Sequence, residues 1–221
     1  MNEGSAREEI CRVGKSLFDR GLVHGTAGNI SLRLNDGGAL ITPTDACLGF
    51  LDPVRLSRID AQGRHLGGDT PSKTLALHAR IVDEALKHDP DTRCVLHTHS
   101  SHCVSISLTA PAAELLAPIT PYFVMKVGHV PHLPYRRPGA AAAVAEVAEA
   151  IRRYGVAGTP IRAVMLGRLG PVVWHESPAA AMAVLEELEE TARLTLRAGA
   201  ALQGLDEAAI EELRQAFGAR W

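Results

Sequence analysis

Two histidines separated by one residue, His97 and His99, stand directly after a short apolar run of the sequence. The run at residues 94–96 predicts a strand, in which side chains two residues apart point to the same face of the sheet. Both imidazoles can therefore reach one divalent ion at about 2.0–2.1 Å, the usual zinc–nitrogen distance. The spacing fits equally well two histidines that are only hydrogen-bonded or solvated at a strand end, so the pattern alone leaves both interpretations open.

A second group of residues carries hydrogen-bond donors of the kind that bind anions. A glycine-containing turn lets backbone N–H groups approach an anion closely, and the start of a predicted helix attracts phosphate. Each segment alone is explained by an ordinary turn or helix cap, but together they indicate a pocket for a phosphate or carboxylate. The GxxxxGK[ST] motif of nucleotide-binding loops is absent. The donor set consists of Thr26, Gly28, Asn29, Thr44, Ser72 and Lys73.

The elements that must position these residues alternate between helices and strands. Apolar periodicity predicts helices over residues 5–20, 72–87, 101–108, 139–153, 178–197 and 206–218. Strands are predicted over residues 30–34, 39–42, 94–96, 161–166 and 171–174, with another inside 124–133. Two strands joined by a tight turn so early in the chain argue against a βαβ beginning. We therefore expect one α/β domain over residues 1–221, with a central, mainly antiparallel sheet and helices on both faces in an αβα arrangement.

The composition argues against several classes of function. A chain of 221 residues with a net charge of −2 offers no electrostatic footprint for a nucleic acid or a membrane surface. No apolar stretch is long enough for a transmembrane helix, and the polar start of the sequence is unlike a secretory signal. The four cysteines form no CxxC pair, which favours reduced thiols in a cytoplasmic protein.

The motifs, taken in order, resemble the class II aldolase/adducin family. The resemblance covers residues 6–199 and rests on GTAGNISLRL, ITPT, PSKTLALH, VLHTHSSH and TPYFVMKVG. Further segments are most similar to the branch of 3-oxo-tetronate 4-phosphate decarboxylases: CLGFLDP, GDTPSK, PYRRPG and LEELEETARL. The resemblance implies a largely antiparallel sheet flanked by helices, and a fourfold homotetramer with active sites between subunits.

The resemblance also implies roles for individual residues. His97 and His99 match the two histidines of the family's metal site, with zinc as the first expectation and manganese or iron as alternatives. The anion-binding set, apart from Thr26, matches the positions that line the substrate phosphate site. Tyr122 matches a segment that supplies a catalytic tyrosine from the neighbouring subunit, and Lys73 is a second catalytic candidate.

Two positions depart from the family pattern. Thr74 stands where the family carries an acidic residue that serves as acid/base and metal ligand, and Leu169 stands in place of a third metal-binding histidine. Arg168, beside it, replaces an asparagine. With two histidines left, we expect the metal to be weakly held or absent, unless another histidine replaces the lost ligand. The candidates for that replacement are His102, His175 and, from across a subunit boundary, His129 or His132.

The expected function is therefore a carbon–carbon lyase, of decarboxylase or aldolase type, acting on a phosphorylated or acidic sugar derivative such as a 3-oxo-tetronate 4-phosphate. Either a divalent metal at His97 and His99 stabilises the enolate, or Arg168 and Lys73 supply the positive charge without it. The alternative is a divergent or degenerate family member, with a different reaction or with binding only.

Overall fold

The computed structural model describes residues 2–109, 113–199 and 202–221. Helices and strands alternate along most of the chain, as the sequence predicts. The helices are α1 (Glu3–Asp19), α2 (Leu75–Ala85), α3 (Ser101–Thr109), α4 (Ala141–Val156), α5 (Pro178–Ala198) and α6 (Glu207–Phe217). The strands are β1 (Asn29–Arg33), β2 (Ala39–Ile41), β3 (Ser57–Ile59), β4 (His65–Gly67), β5 (Cys94–His97), β6 (His132–Leu133), β7 (Ala163–Leu166) and β8 (Gly170–His175).

All of these strands belong to one sheet with the order β4-β3-β2-β1-β5-β8-β7-β6. Neighbouring strands are antiparallel, except that β6 and β7 are parallel. The turn between β1 and β2 forms where the sequence predicts it, with Gly37 at φ 84° and the Asp36 side chain accepting the Gly38 N–H. The prediction of a mainly antiparallel sheet is confirmed.

Helices cover both faces of the sheet, which confirms the predicted αβα arrangement. On one face, Ile10 of α1 and Leu185 of α5 pack with Leu96 in a continuous apolar cluster. On the other face, helices α2 and α4 pack against Val95 and Val172. Successive residues of β5 thus point to opposite layers, as the alternation of a strand requires. No helix in the described part of the chain is both long and apolar enough to cross a bilayer.

The structure differs from the sequence prediction in three details. Helix α2 begins at Leu75 rather than at residue 72, because residues 72–74 form a hydrogen-bonded turn with Leu75 N–H bound to the Ser72 carbonyl. Residues 124–133 do contain the expected strand, the two-residue β6, but the first part of this segment belongs to a π-helix, Phe123–Val127. Strands β3 and β4 were not predicted, because three-residue strands are too short to show a clear alternation.

Thr42 joins the three segments that carry the predicted anion-binding residues. Its buried hydroxyl accepts the Ile30 N–H at 3.2 Å, and its own N–H donates to the Ile30 carbonyl at 3.0 Å. Its carbonyl then accepts the Ser72 N–H at 3.2 Å. One residue therefore fixes the end of β2 relative to both the start of β1 and the turn before α2.

Gly28 is required by the close approach of the chain to β5. Its φ is 87°, in the region that favours glycine, and a Cβ at this position would lie 2.9 Å from the His97 carbonyl oxygen. Any larger residue would push the start of β1 away from His97. The glycine of the sequence motif therefore has a packing role as well as offering its N–H.

We expect Thr42→Val to destabilise the protein by about 1–3 kcal/mol, because the Ile30 N–H would remain buried without an acceptor. Urea unfolding followed by circular dichroism measures the loss. Thr195→Val is the matched control, since the Thr195 hydroxyl donates only to a carbonyl within helix α5. Equal stability of both variants would contradict the role of Thr42 as the connection between the three segments.

Candidate active site

A cavity of about 310 Å³ lies where β1 begins and β5 ends. The structure brings together in its lining eight of the residues singled out from the sequence. These are Thr26, Gly28, Asn29, Thr44, Ser72, Lys73, His97 and His99. Residues far apart in the chain thus line one pocket, with the histidines and the anion-binding turns in the same lining.

The register between β1 and β5 explains this convergence. Asn29 lies directly opposite His97 in the antiparallel pair, so the glycine turn that precedes Asn29 meets the residues that follow His97. The rings of His97 and His99 have centroids 5.1 Å apart, and both line the cavity. The predicted placement of the two imidazoles on the same side is therefore present in the structure.

Both histidines have environments that favour the neutral ring. Burial, helped by the neighbouring His99, lowers the pKa of His97 to about 4. Burial, with a smaller effect from His24, also lowers the pKa of His99. His97 Nδ1 lies 2.9 Å from the Pro171 carbonyl, which can only accept, so Nδ1 carries the proton and Nε2 keeps a free lone pair.

Thr74 is engaged in a hydrogen-bonded chain within the cavity wall. Its hydroxyl donates to Asn29 Oδ1 at 2.9 Å and accepts from the Ser72 hydroxyl, also at 2.9 Å. Because Oδ1 of Asn29 is thereby occupied, the amide nitrogen is the group left to donate toward a ligand. The Thr74 side chain thus orients an amide donor.

Leu169 lies in the cavity lining and packs against the apolar cluster that includes Val172. It follows Arg168 in the turn between β7 and β8, where Gly170 approaches the Thr98 carbonyl so closely that a Cβ would lie 2.0 Å from it. The place beside the two histidines is therefore filled by an aliphatic side chain, which has no atom that can bind a cation.

None of the four candidate replacement histidines lines the cavity within this chain. In the β5–β8 pair, His175 lies opposite Cys94 and His97 lies opposite Val172. His175 is therefore three residues along the strands from His97, or about 10 Å from it. His102 is bound by Glu189 at 2.8 Å. His129 stacks on Trp221 at 4.3 Å between ring centroids, and His132 lies in β6 beside Gly167. In residues 2–109, 113–199 and 202–221, no three His, Cys, Asp or Glu side chains could hold a metal ion together.

Two predicted site residues lie outside the cavity. Arg168 is exposed at φ 64° in the β7–β8 turn, and only its backbone N–H has a described hydrogen bond, to the Ser107 hydroxyl at 3.1 Å. Within this chain Leu169 and not Arg168 lines the cavity, and the role of Arg168 in binding substrate stays a prediction. Tyr122 is 61% exposed and also outside the lining, just before the π-helix.

The lining also contains charged residues that the motifs did not single out, Asp45 and Arg137. Arg136 and Arg137 are both exposed, but they have different partners. Arg136 contacts Glu146 at 3.0 Å from Nε, whereas Arg137 lines the cavity together with the first turn of helix α4. The position of Arg137 relative to His97 depends on the tertiary fold.

Comparison with known proteins identifies a family and a group of relatives. The model of the class II aldolase and adducin N-terminal domain matches residues 8–196. A 3-oxo-tetronate 4-phosphate decarboxylase from Cupriavidus necator is 48% identical, with 99% of each chain covered. The Escherichia coli protein of the same name is 40% identical over 96% of each chain.

Solved structures agree with this assignment. YgbL from Klebsiella pneumoniae, described as an aldolase, epimerase or decarboxylase, is 40% identical and superimposes with a TM-score of 0.86 over 97% of this chain and 100% of that chain. The fold, the motifs that meet in the cavity and the family match all indicate the same family. The chain belongs to the class II aldolase and adducin family.

Proposed function

We propose that this chain is a decarboxylase of a phosphorylated 3-oxo sugar acid, of the type that its relatives' names describe as a 3-oxo-tetronate 4-phosphate. It is a class II aldolase-like lyase. The observation that carries the proposal is the single cavity that joins phosphate-type donors to Lys73 and Arg137. A substrate with a phosphate at one end and a carboxylate at the other matches such a lining.

The chemistry of such a substrate requires an electron sink more than a strong base. The bond between the carboxylate carbon and C2 breaks, carbon dioxide leaves, and the electron pair becomes the enolate formed by C2, C3 and the 3-oxo oxygen. A proton then adds to C2 to give a three-carbon hydroxyketone phosphate. Positive charge or hydrogen-bond donors near the 3-oxo oxygen stabilise the charge that develops there.

The phosphate end of the substrate is assigned to the wall formed by Gly28, Asn29, Thr44 and Ser72. The turn at Gly28 is held against His97, and the Thr74 hydroxyl leaves the Asn29 amide nitrogen free to donate. Lys73, next to Ser72, adds a full positive charge on the same wall. Fixed donors of this kind bind a phosphate without reorganisation when the substrate arrives.

Members of this family generally use a divalent metal ion, often zinc. The residues of this chain do not fit a resident metal, because within the described residues no third His, Cys, Asp or Glu is placed to bind an ion together with His97 and His99. The Thr74 hydroxyl is already bound to Asn29 and Ser72, and Leu169 has no donor atom. Catalytic zinc sites take three protein ligands as a rule. We therefore assign the stabilisation of the enolate to Lys73 as well, because the 3-oxo carbon is bonded to the carbon that carries the phosphate, so that one cation on this wall serves both groups.

Tyr122 is assigned the proton that reaches C2, from a neighbouring copy of the chain in a homotetramer. The support is its position: the phenol is exposed and lies outside the cavity of its own chain. A phenol outside the cavity of its own chain acts on the substrate there only if another subunit brings it to the cavity. Proton donation by a positioned side chain contributes about 10²–10⁴-fold to the rate.

The variant Lys73→Met tests whether the chain decarboxylates the substrate and whether the charge of Lys73 contributes to the rate. We expect the purified chain to release carbon dioxide from 3-oxo-tetronate 4-phosphate, and the variant to lose about 100-fold in kcat/KM, since a preorganised charge is removed. Lys15→Met is the control, because Lys15 pairs with Asp19 on helix α1. Absence of turnover by the unmodified chain, despite binding of the substrate, would favour the binding-only alternative.

The metal content of the purified chain tests whether His97 and His99 hold a metal ion. We expect elemental mass spectrometry to find well below one equivalent of zinc, manganese or iron per purified chain, and turnover to persist after treatment with a chelator. The double variant Thr74→Glu with Leu169→His should gain close to one equivalent, because it restores four ligands. One equivalent in the unmodified chain, lost on His97→Ala with His99→Ala, would show that the two histidines hold a metal with a partner not seen here.

Mixing of variants tests the assignment of Tyr122. Tyr122→Phe should lower kcat by about 100-fold or more, whereas Tyr135→Phe, at another exposed tyrosine, should not. Co-expressed Tyr122→Phe and Lys73→Met chains should recover about a quarter of normal activity, because random assembly gives some sites an intact lysine and an intact neighbouring tyrosine. No recovery in mixed oligomers would contradict a shared site.

A further inference from the structure

Arg137 differs from its neighbour Arg136 in what its side chain meets. Arg136 is held by both carboxylate oxygens of Glu146, through Nε at 3.0 and 3.3 Å. Arg137 lines the cavity and forms no ion pair or hydrogen bond with any side chain of the described residues. An arginine with five free donors in the lining of a cavity is available for a ligand.

The surroundings of Arg137 leave its charge uncompensated. Helix α4 begins with Ala140 at its N-cap, without a side-chain acceptor and without an acidic residue in the first turn. Asp45 is the acidic residue among those that line the cavity, and it lies in the Thr44 segment without an ion pair to Arg137. Arg137 thus brings a second cation to the lining, on a segment separate from the one that carries Lys73.

The shapes of the two cations suit different anions. The segments at Gly28, Thr44 and Ser72 line the same cavity as Lys73 and offer many single donors, which suits the three oxygens of a phosphate. The planar fork of a guanidinium matches the two oxygens of a carboxylate. Since the proposed substrate carries one phosphate and one carboxylate, the cavity offers a matching partner for each end.

We propose that Arg137 binds the substrate carboxylate and so makes this site select sugar-acid phosphates over neutral sugar phosphates. This inference rests on the proposed function for the identity of the substrate, but it concerns recognition and not the chemical step. Arg137 is accordingly a specificity-determining residue, and its loss should raise KM more than it lowers kcat.

The test compares the binding of two stable compounds that differ only at one end. Erythronate 4-phosphate carries a carboxylate where erythritol 4-phosphate carries a hydroxymethyl group. By titration calorimetry, we expect the unmodified chain to prefer the acid by about tenfold or more, as for a charge-assisted hydrogen bond. Arg137→Gln should lose this preference without changing the affinity for erythritol 4-phosphate. Arg137→Lys should keep part of it.

Arg136→Gln is the matched control, since Arg136 is paired with Glu146, and it should retain the preference. An unchanged preference in Arg137→Gln, or equal affinity of the unmodified chain for both compounds, would overturn the proposal. The proposed function is tested separately, by the release of carbon dioxide. If the unmodified chain prefers the acid through Arg137 but releases no carbon dioxide, the role of Arg137 in recognition stands and the decarboxylase assignment is wrong. Unchanged urea unfolding of both variants would confirm that folding is not the cause.

Discussion

The antiparallel pairing of β1 with β5 is the constraint on which the whole site depends. This register places Asn29 opposite His97, and it requires a glycine at position 28, where a Cβ would lie against the His97 carbonyl. Thr42 then attaches the end of β2 and the turn before α2 to the same place by three hydrogen bonds. Without that register, the anion-binding turns and the histidines would be separate features of the surface.

The two departures from the family pattern change the chemistry of this cavity in a consistent direction. Thr74 has a hydroxyl that orients the Asn29 amide, where the resemblance implies an ionisable ligand. Leu169 adds apolar surface, where the resemblance implies a metal-binding histidine. The cavity keeps its anion donors and retains Lys73 and Arg137. Loss of carbon dioxide from a 3-oxo acid needs an electron sink rather than a strong base, so this reaction tolerates the two changes better than an aldol cleavage does.

Much of the fold and part of the site follow from local patterns. The helices packed on the sheet show clear apolar periodicity, and the glycine turns and the HxH spacing depend on residues close in the sequence. The prediction failed where local preference was overruled. The helix expected from Ser72 starts only at Leu75, because the Ser72 N–H is drawn to the Thr42 carbonyl and the Ser72 side chain to Thr74. Arg168 lies outside the cavity and Arg137 lies in its lining, and neither position is set by its neighbours in sequence.

The sequence by itself determined which groups are available: two imidazoles with one spacing residue, a set of anion donors, and the absence of an acid at 74 and a histidine at 169. Residue type limits chemistry wherever the side chain lies, so the loss of metal ligands is visible without coordinates. Only the tertiary structure decided which cations share the cavity with those groups. The reason is that Arg137 and Lys73 come from segments more than sixty residues apart, brought together by packing of α2 and α4 on one face of the sheet.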